Sequence, residues 1–210
     1  MNNIYLAKIK NIIKPNGENF PVRLSDNEKL FFIECLKSVS NYLEFGSGGS
    51  TILALKSENT KKIVSVESDL NWIKYLRKSP TINDAKEGRL NLIHIDIGKT
   101  GKWGVPTQID KKELFPDYST KIFTQYENDY NLVFVDGRFR VACVLQTILN
   151  CKPDVKILIH DYNDRPQYHS ILQFVNIIYT IDTMALFSIK ENIDRKKVEE
   201  VYEFFKYDYR

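Results

Sequence analysis

The chain has 210 residues, 43% of them hydrophobic and 27% charged, which is the composition of a globular protein large enough to bury one ordinary core. Its 30 Lys and Arg against 27 Asp and Glu leave a net charge of +3, too mild and scattered to argue for nucleic acid, so no nucleic-acid partner is expected. Three cysteines, Cys35, Cys143 and Cys151, lack CxxC spacing, which excludes a disulfide framework and a cysteine zinc site and points to reduced thiols in a cytoplasmic protein.

Residues 1–24 read as an irregular lead-in with Pro15, Gly17 and Pro21, and no run has signal-peptide or membrane-spanning length. From 25 to 210 the pattern is that of a single domain. Ser25 with Glu28 three residues on has capping-box form and opens a helix over 27–38. A strand at 41–45 and a helix at 50–57 follow, then a strand at 62–66 and a helix at 69–78. Strands are expected at 90–95 and 131–135, a helix at 138–150 and a branched-residue strand at 155–159. Between them, 98–127 carries Gly101, Gly104, Pro106 and Pro116 with weak periodicity, and reads as one long functional loop. Two adjacent strand-like runs at 176–182 and 184–190 fit an antiparallel pair. The alternation predicts an α/β fold: a doubly wound, Rossmann-like, mostly parallel sheet with helices on both faces and an antiparallel C-terminal edge.

The sharpest local signal is LEFGSGGST, where the first strand feeds a glycine turn and then a helix. Ligands of such sheets sit at the carboxyl ends of the strands. Gly46 and Gly48 let a ligand approach the backbone, and Ser47, Ser50 and Thr51 add hydroxyls at the helix start. About 20 residues on, Glu67 ends the second strand, placed to accept hydrogen bonds from both ribose hydroxyls of an adenosine-containing cofactor. A dinucleotide turn wants glycine where Thr51 stands. Glu44 suits a cationic aminoacyl sulfonium better than a diphosphate. The E-x-G-x-G pattern from Glu44 to Gly48 resembles the first motif of class I S-adenosylmethionine-dependent methyltransferases. That resemblance implies S-adenosylmethionine as cofactor, Glu67 as the ribose acid, and Asp96, after the third strand, as an acid near the adenine amino group.

The next two strands end in LVFVDGRFR and ILIHDYNDR, at the mouth of the same crevice. Asp136, His160 and Asp161 are candidate bases for taking the proton of an acceptor hydroxyl. Arg138, Arg140 and Arg165 can hold a carboxylate or phosphate, although one of the three is expected to be purely structural. Asp136 and Asp161 also resemble the acids that hold Mg²⁺ in catechol-type and some sugar or macrolide O-methyltransferases. The run His160-Asp161-Tyr162 departs from that pattern, so no metal is assigned. Trp103 is expected either in a cover over the site or as an anchor for the long loop. The leading expectation is O-methylation of a small polar acceptor, sugar-derived or anionic. The alternatives are a nicotinamide-dependent oxidoreductase and a non-catalytic nucleotide-binding module of the same fold.

Overall fold

Strand β1 (Asn41–Phe45) sends Leu43 and Phe45 to one face and Tyr42 and Glu44 to the other, and all four are buried. A strand buried on both sides needs a layer of helices on each. The computed structural model, which describes residues 20–85 and 87–210, provides them.

The remaining strands are β2 (Lys62–Glu67), β3 (Leu90–His94), β4 (Leu132–Val135), β5 (Lys156–Ile159), β6 (Val175–Ile181) and β7 (Met184–Ile189). They join in the order β3-β2-β1-β4-β5-β7-β6. The first five are parallel, while β7 runs antiparallel to β5 and β6 antiparallel to β7, as the sequence pattern predicts. The strand order reverses beside β1, so the crevice between the ends of β1 and β4 is the switch point where such sheets bind ligands.

Helices α1 (Asp26–Leu36), α2 (Gly49–Lys56), α3 (Leu70–Leu76) and the short α4 (Pro80–Asn83) bury Phe32, Leu53, Leu76 and Ile82 with Tyr42 and Phe134 of one face. Helices α5 (Phe115–Gln125), α6 (Arg140–Asn150) and α7 (Arg195–Phe205) bury Ile122, Val144 and Val198 with Phe45 and Val135 of the other. The capping box opens α1 as expected: the Glu28 amide donates to Ser25 Oγ at 3.1 Å and the Ser25 amide to Glu28 Oε2 at 2.8 Å.

Two stretches differ from the sequence reading. The expected loop 98–127 holds α5, which buries Phe115, Tyr118, Ile122 and Phe123 along one face. Pro116 lies in its first turn, where the missing N–H has no helical partner to lose, so it starts the helix instead of excluding it. Only the part before α5 is loop-like, with 3₁₀ turns at Lys102–Gly104 and Ile109–Leu114. Helix α7 was not anticipated. Asp194 caps it through the Lys196 and Lys197 amides, and only Val198 and Tyr202 are fully buried, too sparse a stripe among charges to stand out. Of the lead-in, residues 1–19 lie outside the described residues, and 20–24 run across the start of α2. No helix among the described residues is long and apolar enough to cross a membrane.

Candidate active site

A cavity of about 860 Å³ opens at the carboxyl ends of β1, β2, β4 and β5. Its near end is the turn between β1 and α2. Gly46 has φ +99°, and a Cβ there would sit 2.6 Å from the Gly137 amide nitrogen. The glycine is required by backbone packing between the β1 and β4 turns, before any ligand is considered. Gly48 is different: a Cβ there meets nothing within 4 Å, and the residue lines the cavity. Gly49 is covered by the lead-in, because a Cβ would sit 2.7 Å from Val22 Cα.

The hydroxyls of this turn are engaged by Glu44 and Ser65. Glu44 is fully buried and does not line it; its carboxylate accepts from Tyr42 Oη at 3.0 Å, Ser50 Oγ at 2.8 Å, Ser65 Oγ at 2.6 Å, and Thr51 Oγ1. Burial pushes the Glu44 pKa up, and the four hydroxyls oppose that shift. Ser47 Oγ is bonded to Ser65 Oγ at 2.6 Å. Glu44 and Thr51, expected to face a cofactor, are instead an internal brace fixing α2 to β1 and β2. Ser47, Gly48 and Ser50 do line the cavity. The Trp72 indole, donating to the Ser47 carbonyl at 2.8 Å, holds the turn from the α3 side.

Glu67 ends β2 on the cavity wall, 8% exposed. One oxygen accepts from the Ser68 amide at 2.7 Å and the Asp69 amide at 2.9 Å. Burial outweighs these bonds and raises its pKa to about 7, so the group is an under-solvated acceptor at the edge of open space. Asp96 does not join it. That side chain is exposed, lies off the cavity lining, and closes a turn by accepting from the Gly98 amide at 2.9 Å.

The side chains at the ends of β4 and β5, which also line the cavity, form a charge lattice. Asp136 Oδ1 takes His160 Nδ1 at 2.8 Å and Arg140 Nη2 at 3.2 Å, and its Oδ2 takes part in neither contact. Asp161 Oδ2 takes Arg140 Nη1 at 3.2 Å and Arg165 Nη2 at 2.8 Å. Arg140, 3% exposed, also donates to the carbonyls of Gly137, Asp136 and His160. Through these bonds it ties the ends of β4 and β5 together. Asp161 and Phe139 hold left-handed backbone at φ +58° and +54°, a strain this lattice has to retain.

His160 faces a carboxylate at each nitrogen, because Nε2 lies 3.4 Å from Glu28 Oε2. Burial would lower its pKa, but the Asp136 hydrogen bond and the charges of Asp136, Asp161 and Glu28 raise it. Each ring nitrogen is thereby engaged by a carboxylate of the protein itself. Glu28 was read only as a capping residue. It also accepts from the Thr183 amide at 3.0 Å and Thr183 Oγ1 at 2.7 Å, and no local signal marks a partner 155 residues away. Despite its burial, those bonds hold its pKa below the ordinary value.

Atoms of Asp136, His160 and Asp161 lie within 4.8 Å of one another, the spacing of a metal site. The set does not fit Mg²⁺. That ion wants about six oxygen ligands, and here both carboxylates are already engaged by Arg140, with His160 or Arg165 beside it.

The cavity's rim was legible only in part. Trp103, 61% exposed with φ +63°, has the Arg23 guanidinium and the Lys102 ammonium each 5.5 Å from its ring centroid. Arg23, Ser68, Asp69 and Tyr118 also line the cavity and carry no motif in the sequence.

No family model matches the chain, and no curated protein matches it. Solved structures do. A methyltransferase-like protein from Silicibacter pomeroyi is 28% identical with a TM-score of 0.81, covering 91% of this chain and 98% of that one. An O-methyltransferase from Bacillus cereus in complex with S-adenosylhomocysteine is 13% identical, TM-score 0.53, covering 90% and 92%. An RNA methyltransferase from Salinibacter ruber, also in complex with S-adenosylhomocysteine, is 15% identical, TM-score 0.52, covering 82% and 97%.

Proposed function

We propose that this chain, which has the fold of the class I S-adenosylmethionine-dependent methyltransferases, is itself such an enzyme and methylates an oxygen of a small polar acceptor. One observation carries the reading: the buried, raised-pKa Glu67, the open Gly48 backbone and Asp136 line a single cavity. Those groups suit an adenosyl cofactor and an acceptor hydroxyl. The methyltransferases that share this fold support the same assignment over the nicotinamide alternative.

S-Adenosylmethionine supplies an electrophilic methyl group when bound. The chain's residues do the rest. Glu67 accepts the ribose hydroxyls, and the Ser47–Gly48 backbone with Ser50 receives the aminoacyl end. Asp136 Oδ2, the oxygen outside the charge lattice, orients the acceptor hydroxyl and takes its proton. His160 and Arg140 hold Asp136 in place; both are positioning residues. Asp161 bears on Asp136 through the shared Arg140. No step runs through a metal.

The test is calorimetric titration with S-adenosylhomocysteine. Wild type should bind one equivalent. Glu67→Ala should weaken binding by about 1.5–3 kcal/mol, the scale of charge-assisted hydrogen bonds. Absent binding, or unchanged affinity in the variant, would refute the reading.

A further inference from the structure

In the lattice the carboxylates of Asp136 and Asp161 are met by the guanidinium groups of Arg140 and Arg165, and His160 lies between the carboxylates of Asp136 and Glu28. The rest of the cavity is not balanced. Arg138, Arg23 and Lys102 line it, and none of the three forms an ion pair among the described residues. The remaining lining acids are Glu67, bonded to backbone amides, and Asp69, which caps α3 through the Asn71 and Trp72 amides.

Arg138 is the most telling of these cations. It follows Asp136 by two residues at the end of β4, is half-buried, and its Nε is buried with no hydrogen-bond partner. That unpartnered N–H carries a cost, and Arg138 lines the cavity without an ion pair, so an anion bound there would supply the missing counter-charge. Burial and the nearby Arg140 push its pKa down, so as it stands the charge is held at a disadvantage that an anion would relieve. The methyl donor does not cure the imbalance. It brings one carboxylate together with an ammonium and a sulfonium, so it adds positive charge to an already cationic chamber.

We infer that the methyl acceptor is an anion whose carboxylate or phosphate is held by Arg138, with Arg23 and Lys102 flanking it beside the Trp103 ring. This rests on the methyltransferase reading and names its substrate class. The guanidinium fork matches either oxyanion, and Gly137 separates it from Asp136 by one residue. A hydroxyl near the anionic group is thereby turned toward Asp136. Neutral sugars and catechols lack the group that would neutralise Arg138.

The experiment uses inorganic phosphate as the probe, titrated into protein saturated with S-adenosylhomocysteine. Wild type should bind it saturably. Arg138→Met should weaken that binding by at least about tenfold while S-adenosylhomocysteine affinity and the circular dichroism spectrum stay unchanged. Arg138→Lys, which keeps charge without the fork, should fall between. Equal phosphate binding in wild type and Arg138→Met, or none in wild type, overturns the inference. So does a loss of S-adenosylhomocysteine affinity in Arg138→Met with 5′-methylthioadenosine binding intact, because Arg138 would then be holding the cofactor's own carboxylate. If S-adenosylhomocysteine fails to bind wild type, the methyltransferase reading falls, and phosphate titrated alone still decides the anion site by the same outcomes.

Discussion

The two glycines of the first turn look equivalent in sequence, yet the structure gives them different roles. Gly46→Ala should destabilise the fold, because its Cβ would sit 2.6–2.9 Å from the backbone of Asp136 and Gly137 at φ +99°. Gly48→Leu should leave the unfolding midpoint near wild type, since its Cβ has open space, and should block S-adenosylhomocysteine, which needs that space. Chemical denaturation beside calorimetry on the two variants checks the pair, and equal effects on both readouts would contradict it. Glu67 makes a second residue-scale prediction. Its pKa of about 7 in the free protein should drop when ribose hydroxyls donate to it, so the ligand binds the ionised form preferentially. Affinity should be flat above about pH 7 and fall by up to tenfold per unit below it. Glu67→Gln should bind weakly with no such slope. A wild-type affinity independent of pH from 5.5 to 8 would remove Glu67 from the ribose site (a window set around that pKa of about 7).

At the scale of elements, the strand pattern was readable because buried parallel strands leave short apolar runs at regular spacing, and every expected strand is present within a residue or two. Helix α5 was hidden by Pro106 and Pro116, whose usual meaning as breakers reverses when one lies in a first turn. Ile122→Ala tests that correction: buried in a helical core it should cost about 2–5 kcal/mol in urea unfolding, whereas a loop side chain would cost close to nothing. The candidate site divides in the same way. Glu67, Asp136 and the glycine turn follow from position at strand ends, which sequence order reveals. The surroundings of Glu44, Asp96 and His160 were not legible, because their partners Ser65, Gly98 and Glu28 are chosen by packing rather than by any motif. The link from α1 to the β5 end is measurable. Glu28→Gln removes one of the carboxylates facing His160, so the imidazole pKa, followed by NMR, should move down. An unmoved titration would separate α1 from the site.

For the whole molecule, the account is that a doubly wound sheet brings two dissimilar groups together at its switch point: an under-solvated carboxylate beside an open glycine turn, and a carboxylate pinned by a charge lattice beside an arginine with no ion pair among the described residues. The central claim is that the cofactor bridges them. A crystal structure with S-adenosylhomocysteine tests this most directly. The ribose hydroxyls should lie within hydrogen-bond distance of Glu67, the aminoacyl chain against Gly48, and the sulfur directed at Asp136 Oδ2 with Arg138 beyond it. Ligand found outside this cavity, or seated with its sulfur turned away from Asp136, would contradict the account.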